Sequence, residues 1–188
     1  MKKIILASTS PRRRDLLAKL DIPFSVATPY PYQETYPATM LAREVPGYLS
    51  QLKSKAYTLT LSEDELLLTA DTLIIFNDQI IGKPKDKEQA KKILHSFSGH
   101  SHTVLTGVTL RSAKLSRTFS VSSDVFFRKL TDQQIEYYVE KYNPIDKAGA
   151  YGIQEWIGLV AIERIEGSFY NVVGLPTSRL MTEINKFK

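Results

Sequence analysis

The chain has 188 residues, 43% of them apolar, a net charge of +5 and no cysteine. This length and composition suit a globular domain with a full core, and the lack of cysteine excludes disulfides, thiolate catalysis and cysteine-held zinc or iron–sulfur centres. The modest positive excess favours an anionic partner such as a nucleotide, nucleic acid or acidic lipid, while no 20-residue apolar run predicts a membrane span.

The first element is a short buried strand over Ile4, Ile5 and Leu6; arginines follow too soon for it to be a secretion signal. Ser10 then reads as a helix N-cap and Pro11 as the first helical residue, with Leu16, Leu17 and Leu20 on one apolar face. Ser8, Thr9, Ser10, Arg12 and Arg13 therefore stand where a strand hands over to a helix. Free N–H groups, a positive dipole end and guanidinium groups meet there, which is the makeup of an anion site. A solvated basic helix face explains the same residues, and no glycine-rich loop marks a Walker A or dinucleotide fingerprint.

Phe24 and Val26 begin a strand that passes into a Pro/Tyr-rich loop holding Glu34. Residues 44–60 read as a helix with Val45, Tyr48, Leu49, Leu52, Ala56 and Leu59 on one face, and Lys55 lies within it. The stretch "LLLTADTLIIF", residues 66–76, reads as a buried strand, followed by an Asn77-Asp78 turn and a return strand over 79–81. Gly82 and Pro84 then hold Lys83 in a bend. Asp86 with Gln89 predicts a helix to about Phe97, and Thr131 with Gln134 another that ends before Pro144. Between them lie two long strands, 101–111 and 117–128. A strand over 157–165 and a last helix bearing Leu180, Met181 and Ile184 complete the chain. Interleaved helices and strands, some strand pairs adjacent in sequence, predict an α/β fold with a mixed sheet in one domain spanning 1–188.

Asp71 interrupts an apolar strand, where a charge is costly unless paired or solvated. Two readings stand: a carboxylate satisfied internally by backbone N–H groups or an arginine, or a general base or metal ligand on the floor of a cleft. In "DKAGAYGIQE", residues 146–155, Gly149 and Gly152 let the chain pass close to a ligand, and Tyr151 and Gln154 are suited to stack on and hydrogen-bond a base edge. A tight bend between helix and strand explains the glycines equally well. "EGSFYNVVGLP" reads as structural, and His95, His100 and His102 as surface residues without a metal.

Together "LASTSPRRRDLL", "KSKA", "TADTLI", "GKPKD", "LTGVTL", "DKAGAYGIQ" and "GSFYNVVGLP", in that order, resemble the Maf family of nucleoside triphosphate pyrophosphatases, once described as septum-formation inhibitors. The likeness runs from residue 4 to about residue 180. It implies cleavage between the α and β phosphates with a divalent cation, Mg²⁺ or Mn²⁺, and Asp71 as general base. It links Arg12, Thr72 and Gln154 to substrate selection, and Ser8, Arg13, Glu34, Lys55 and Lys83 to the triphosphate and metal, Glu34 and Asp71 being the metal ligands. The form "GAYGIQ" resembles the branch acting on dTTP and UTP. The implied fold is a mixed twisted sheet with flanking helices and two lobes around a central cleft, of the Maf and ITPase kind, in a cytoplasmic homodimer with no membrane or specific nucleic-acid partner.

Three departures from the family pattern stand out: Gln33 before Glu34, Glu155-Trp156 after Gln154, and Thr177 after "GLP". Competing expectations are the same chemistry on 7-methyl-GTP or another modified nucleotide, a nucleotide-binding regulator of cell division, and, more weakly, a nucleic-acid module.

Overall fold

Apolar β-branched residues at Ile4 and Ile5 suit a strand, and in the computed structural model, which describes residues 2–187, they lie in β1 (Lys3–Leu6). The Ser10 hydroxyl caps α1 (Pro11–Ala18) by accepting the Arg13 N–H, with Leu16 and Leu17 buried. This helix carries the chain to β2 (Phe24–Val26), which pairs parallel to β1 with Ile4 opposite Phe24. After α2 (Val45–Ala56) comes β3 (Glu65–Phe76), parallel to β1 on its other side, with Leu6 opposite Leu68. Asn77 and Asp78 both take positive φ, the signature of a two-residue hairpin turn, and return the chain into β4 (Gln79–Ile81) antiparallel to β3.

The remaining elements are α3 (Lys87–Phe97), β5 (Ser101–Arg111), β6 (Ser116–Phe127), α4 (Asp132–Tyr142), α5 (Trp156–Ala161), β7 (Ile162–Glu166), α6 (Phe169–Val173) and α7 (Thr177–Ile184). The strands run in the order β2-β1-β3-β5-β6-β7, with β4 on β3, so the predicted mixed α/β architecture is the one observed. The Thr131–Gln134 capping box forms in full. At α3 only half of the expected box forms: Asp86 accepts the Gln89 N–H, but the Gln89 side chain takes the Lys85 N–H instead.

Contacts divide the chain into two compact units. One comprises Met1–Thr72, Leu105–Val121 and Gly174–Lys188; the other comprises Leu73–Val104 and Ser122–Val173. In the first unit Ile5, Ala7, Tyr57, Leu61 and Leu67 pack one core cluster. Here α2 approaches β5 very closely: a Cβ on Gly107 would stand 2.2 Å from the Pro46 carbonyl carbon and 2.3 Å from the Gly47 nitrogen. The second unit packs Ile74, Leu94, Phe97, Phe127, Ile135, Tyr138 and Tyr151 into its own core. Each fully buried side chain of this size contributes about 1.5–3 kcal/mol.

Several expectations are corrected. The segment 157–165 is not one strand: 156–161 is helical, and only Ile162–Glu166 pairs with β6. An unbroken apolar run does not distinguish the two by period, and Leu159, 85% exposed, is apolar without being inward. The helix over 44–60 stops at Ala56, leaving Leu59 65% exposed. "EGSFYNVVGLP" is structural, as read: it contains α6, whose buried Asn171 donates to Val104 O and Ser123 Oγ. His102 is buried, stacked on Phe97 with its Nε2 2.8 Å from the Tyr151 hydroxyl, whereas His100 is exposed as expected.

Candidate active site

In the first unit, β3 places Asp71 at 6% exposure, against the Nζ of Lys53. Lys53 lies on the face of α2 that also buries Val45 and Leu49, each four residues apart, so the helix delivers its ammonium inward. The same ammonium reaches Glu34 Oε1 at 2.8 Å and lies 5.4 Å from the Tyr32 ring, while the Tyr30 hydroxyl donates to Lys53 O at 2.8 Å. Two carboxylates thus share one cation. Burial pushes the Asp71 carboxyl above the usual aspartate range, against the opposing pull of Lys53 and then Arg13. For Lys53, burial is outweighed by Asp71 and Glu34, and its pKa is raised.

Arg13 is fastened at three points. Its Nε donates to Gly174 O at 2.9 Å, Nη1 to Ser8 Oγ at 3.3 Å and Nη2 to Thr72 Oγ1 at 3.0 Å. Thr72 Oγ1 lies a further 2.9 Å from Thr106 Oγ1. A guanidinium carries five N–H donors, so this fork is oriented by the protein with two still available to a ligand. Burial lowers its pKa, with Asp71 the main opposing influence; a group whose pKa starts so high stays charged at neutral pH. Arg12 is exposed on the first turn of α1.

The first unit therefore brings together Ser8, Arg13, Glu34, Asp71 and Thr72. It does not bring Lys55 to them. Two residues along the helix from Lys53, Lys55 points elsewhere and lines a polar cavity of about 530 Å³ with Gln51, Ser54, Thr109, Arg111, Ser116 and Thr118. Lys53 is the residue that sequence reasoning missed. The spacing of Val45, Leu49 and Lys53 carried the signal, because a lysine on a buried stripe needs an anion to meet.

In the second unit Lys83 and Gln154 are both exposed. The bend holding Lys83 is joined to the "DKAGAYGIQ" segment by the Gly149 N–H donating to Gly82 O at 3.1 Å. Gly149 is explained by packing rather than by a ligand: its φ is +69°, and a Cβ there would lie 2.4 Å from Ile74 Cδ1. Tyr151 is likewise turned into the core and not toward a base.

Glu34 and Asp71 fit a hard divalent cation by chemistry: two carboxylates close enough to share the Lys53 ammonium offer oxygen ligands of the right kind. Among the described residues no group of three His, Asp or Glu side chains stands together for a metal.

A family model described as Maf-like protein matches residues 3–187. A Parabacteroides distasonis protein named dTTP/UTP pyrophosphatase is 49% identical over 98% of this chain and 96% of its own length. Relatives of the same name from Phocaeicola vulgatus and Porphyromonas gingivalis are 47% and 48% identical, over 98% of this chain and 95% and 94% of theirs. A solved structure of a HAM1 protein from Coxiella burnetii shares the fold, with a TM-score of 0.52 at 15% identity, covering 99% of this chain and 100% of that one. A buried carboxylate between cations, seven motifs in order and this full-length similarity lead to one conclusion: the chain belongs to the family of Maf-like proteins.

Proposed function

We propose that this protein hydrolyses dTTP and UTP to the nucleoside monophosphate and pyrophosphate. The observation that carries the reading is Asp71, a buried carboxylate held by Lys53 beside the oriented fork of Arg13. The relatives named dTTP/UTP pyrophosphatase support the choice of substrate.

Water attacks the α-phosphorus as the bond from that phosphorus to the α,β-bridging oxygen breaks, and the electron pair leaves on pyrophosphate. Asp71 accepts the proton of the attacking water; a carboxyl pushed upward by burial is a better base near neutral pH than an ordinary one. Lys53 holds that carboxylate in place, and Arg13, fixed by Ser8, Thr72 and Gly174, directs its remaining N–H groups at phosphate oxygens. Lys83 adds positive charge for the polyphosphate, and Arg12 takes part in substrate selection. Glu34 and Asp71 would hold Mg²⁺ or Mn²⁺, which when bound offsets phosphate charge. Gln154 selects the base, because its amide offers both a donor and an acceptor to the alternating edge of uracil or thymine.

The test is pyrophosphate release from dTTP, UTP, CTP, GTP and 7-methyl-GTP, with Gln154→Ala beside wild type. Higher kcat/KM for dTTP and UTP, flattened in the variant, is the expected result; a purine preference overturns the assignment. The same proposal includes a homodimer, checked by sedimentation, and a cytoplasmic location, checked by fractionation. No helix among the described residues is long and apolar enough to cross a membrane.

A further inference from the structure

Residues 152–155 form a turn closed by the Glu155 N–H donating to Gly152 O at 2.9 Å, and exposed Gln154 is its third residue. Both ends of that turn are tied to one atom. The phenol oxygen of Tyr138, fully buried on α4, accepts the Gly152 N–H at 3.1 Å and donates its own proton to Glu155 Oε2. The other Glu155 oxygen lies 3.2 Å from Lys147 Nζ, which also meets Asp146 at 2.8 Å. A phenol can make both contacts at once only while it keeps its proton. Burial, then the hydrogen bond to Glu155, pushes its pKa up and keeps it protonated. Gly152 leaves the space that the carboxylate fills: a Cβ there would lie 2.9 Å from the Glu155 carboxyl carbon and 3.1 Å from each of its oxygens.

We infer that Tyr138 and Glu155 are positioning residues that fix the 152–155 turn and thereby present Gln154 to the base. The inference rests on the role given to Gln154 under Proposed function. A turn fastened before the nucleotide arrives spares the cost of ordering it on binding, and a polar group held in one place discriminates between bases more sharply.

The experiment compares wild type with Tyr138→Phe, Glu155→Ala and Glu155→Gln. It measures kcat and KM for dTTP, CTP and GTP, and amide hydrogen exchange across 152–156 without nucleotide. Trp156, the single tryptophan of the chain, gives a fluorescence signal beside the turn. Tyr138→Phe and Glu155→Ala should raise KM for dTTP about tenfold, the loss of one to two hydrogen bonds. They should also lower the preference for dTTP over CTP and speed exchange at Gly152 and Glu155. Glu155→Gln, whose amide oxygen still accepts the Tyr138 hydroxyl, should recover most of the preference. A merely structural role would lower kcat for every nucleotide by one factor and leave KM and the preference alone. Unchanged KM and preference in Glu155→Ala, a partly exposed side chain whose loss the fold should survive, overturn the inference even if Tyr138→Phe does not fold. A wild type without pyrimidine preference, read on the unmutated protein, overturns the base assignment instead, and this inference with it.

Discussion

The two compact units bury different kinds of polar group. Among the described residues, the buried charged side chains Lys53, Asp71 and Glu183 all belong to the first unit; the second buries His102, Ser123 and Asn171. Glu183 is compensated by Arg117, Arg179 and Lys186. Asp71 has Lys53, and Arg13 nearby. His102 stays neutral among Phe97, Phe127 and Tyr151, because burial lowers its pKa to about 3. Each buried charge of the first unit has opposite charge beside it, as a buried ion requires, whereas the buried polar groups of the second unit need only hydrogen-bond partners or apolar neighbours.

The contrast breaks most sharply at Asp71. Asp71→Asn should lower kcat by roughly 10²–10⁴ while circular dichroism stays native. A variant keeping more than about a tenth of the wild-type rate would remove the carboxylate from the chemistry. In wild type, log kcat/KM should climb with pH through the raised Asp71 pKa and then level off, since only the deprotonated form accepts a proton. Next comes Lys53→Ala, which leaves a buried carboxylate without its cation. Denaturant unfolding should show a loss of about 3–5 kcal/mol, and the acid limb of the rate profile should move to higher pH.

The neutral side of the contrast is sharpened by acid. His102 ordinarily titrates near 6.5 but is held near 3 in the fold. The unfolded chain therefore binds a proton that the folded one refuses. Stability from this group is complete above about pH 6.5 and is lost as pH falls toward 3, by an amount on the order of a few kcal/mol. His102→Phe should flatten that slope in urea melts at pH 4 and 7; an unchanged slope would mean that other groups set it. Arg13→Ala follows, with kcat/KM for dTTP down by about 1.5–3 kcal/mol for a lost charge-assisted contact. Smallest is Lys55→Ala, whose unfolding free energy should stay within about 0.5 kcal/mol of wild type. A loss there as large as for Lys53→Ala would mean that the two lysines had been assigned to the wrong faces of α2.

Local chemistry made most of the fold legible. Ser10-Pro11, Thr131–Gln134 and Asn77-Asp78 each dictate a backbone shape that few other residues give, and each appears where the sequence places it. Asp71 was legible for the opposite reason, as a charge in an apolar strand. What was not legible depends on direction rather than identity. Lys53 and Lys55 share one motif and differ by about 200° around the helix axis. Tyr151 and His102 carry polar tips that look outward on paper, yet they form one internal contact. The segment 156–161 is apolar without a period, so nothing in it spoke against the strand read over 157–165, of which only 162–165 is strand. Glu155 was visible as a departure from the family pattern, but its partner Tyr138 lies 17 residues away on another helix.

Gly107 gives the charged cluster a mechanical property that none of its own members supplies. Main chain meets main chain where β5 touches the first turn of α2, so the spacing there is set by the size of peptide atoms and no side chain can tune it. Lys53 lies seven residues further along the helix, about 10 Å up the axis. Between that bare contact and the ammonium the helix is held again at Ser50, whose hydroxyl lies 2.8 Å from Thr109 Oγ1 and whose carbonyl accepts the Thr69 hydroxyl at 2.7 Å. A single methyl group on Gly107 would collide with the Pro46 and Gly47 backbone without touching any charged atom. The seat of the Lys53 ammonium is thus set in part by the scaffold, through an absence of atoms in the first turn of the helix.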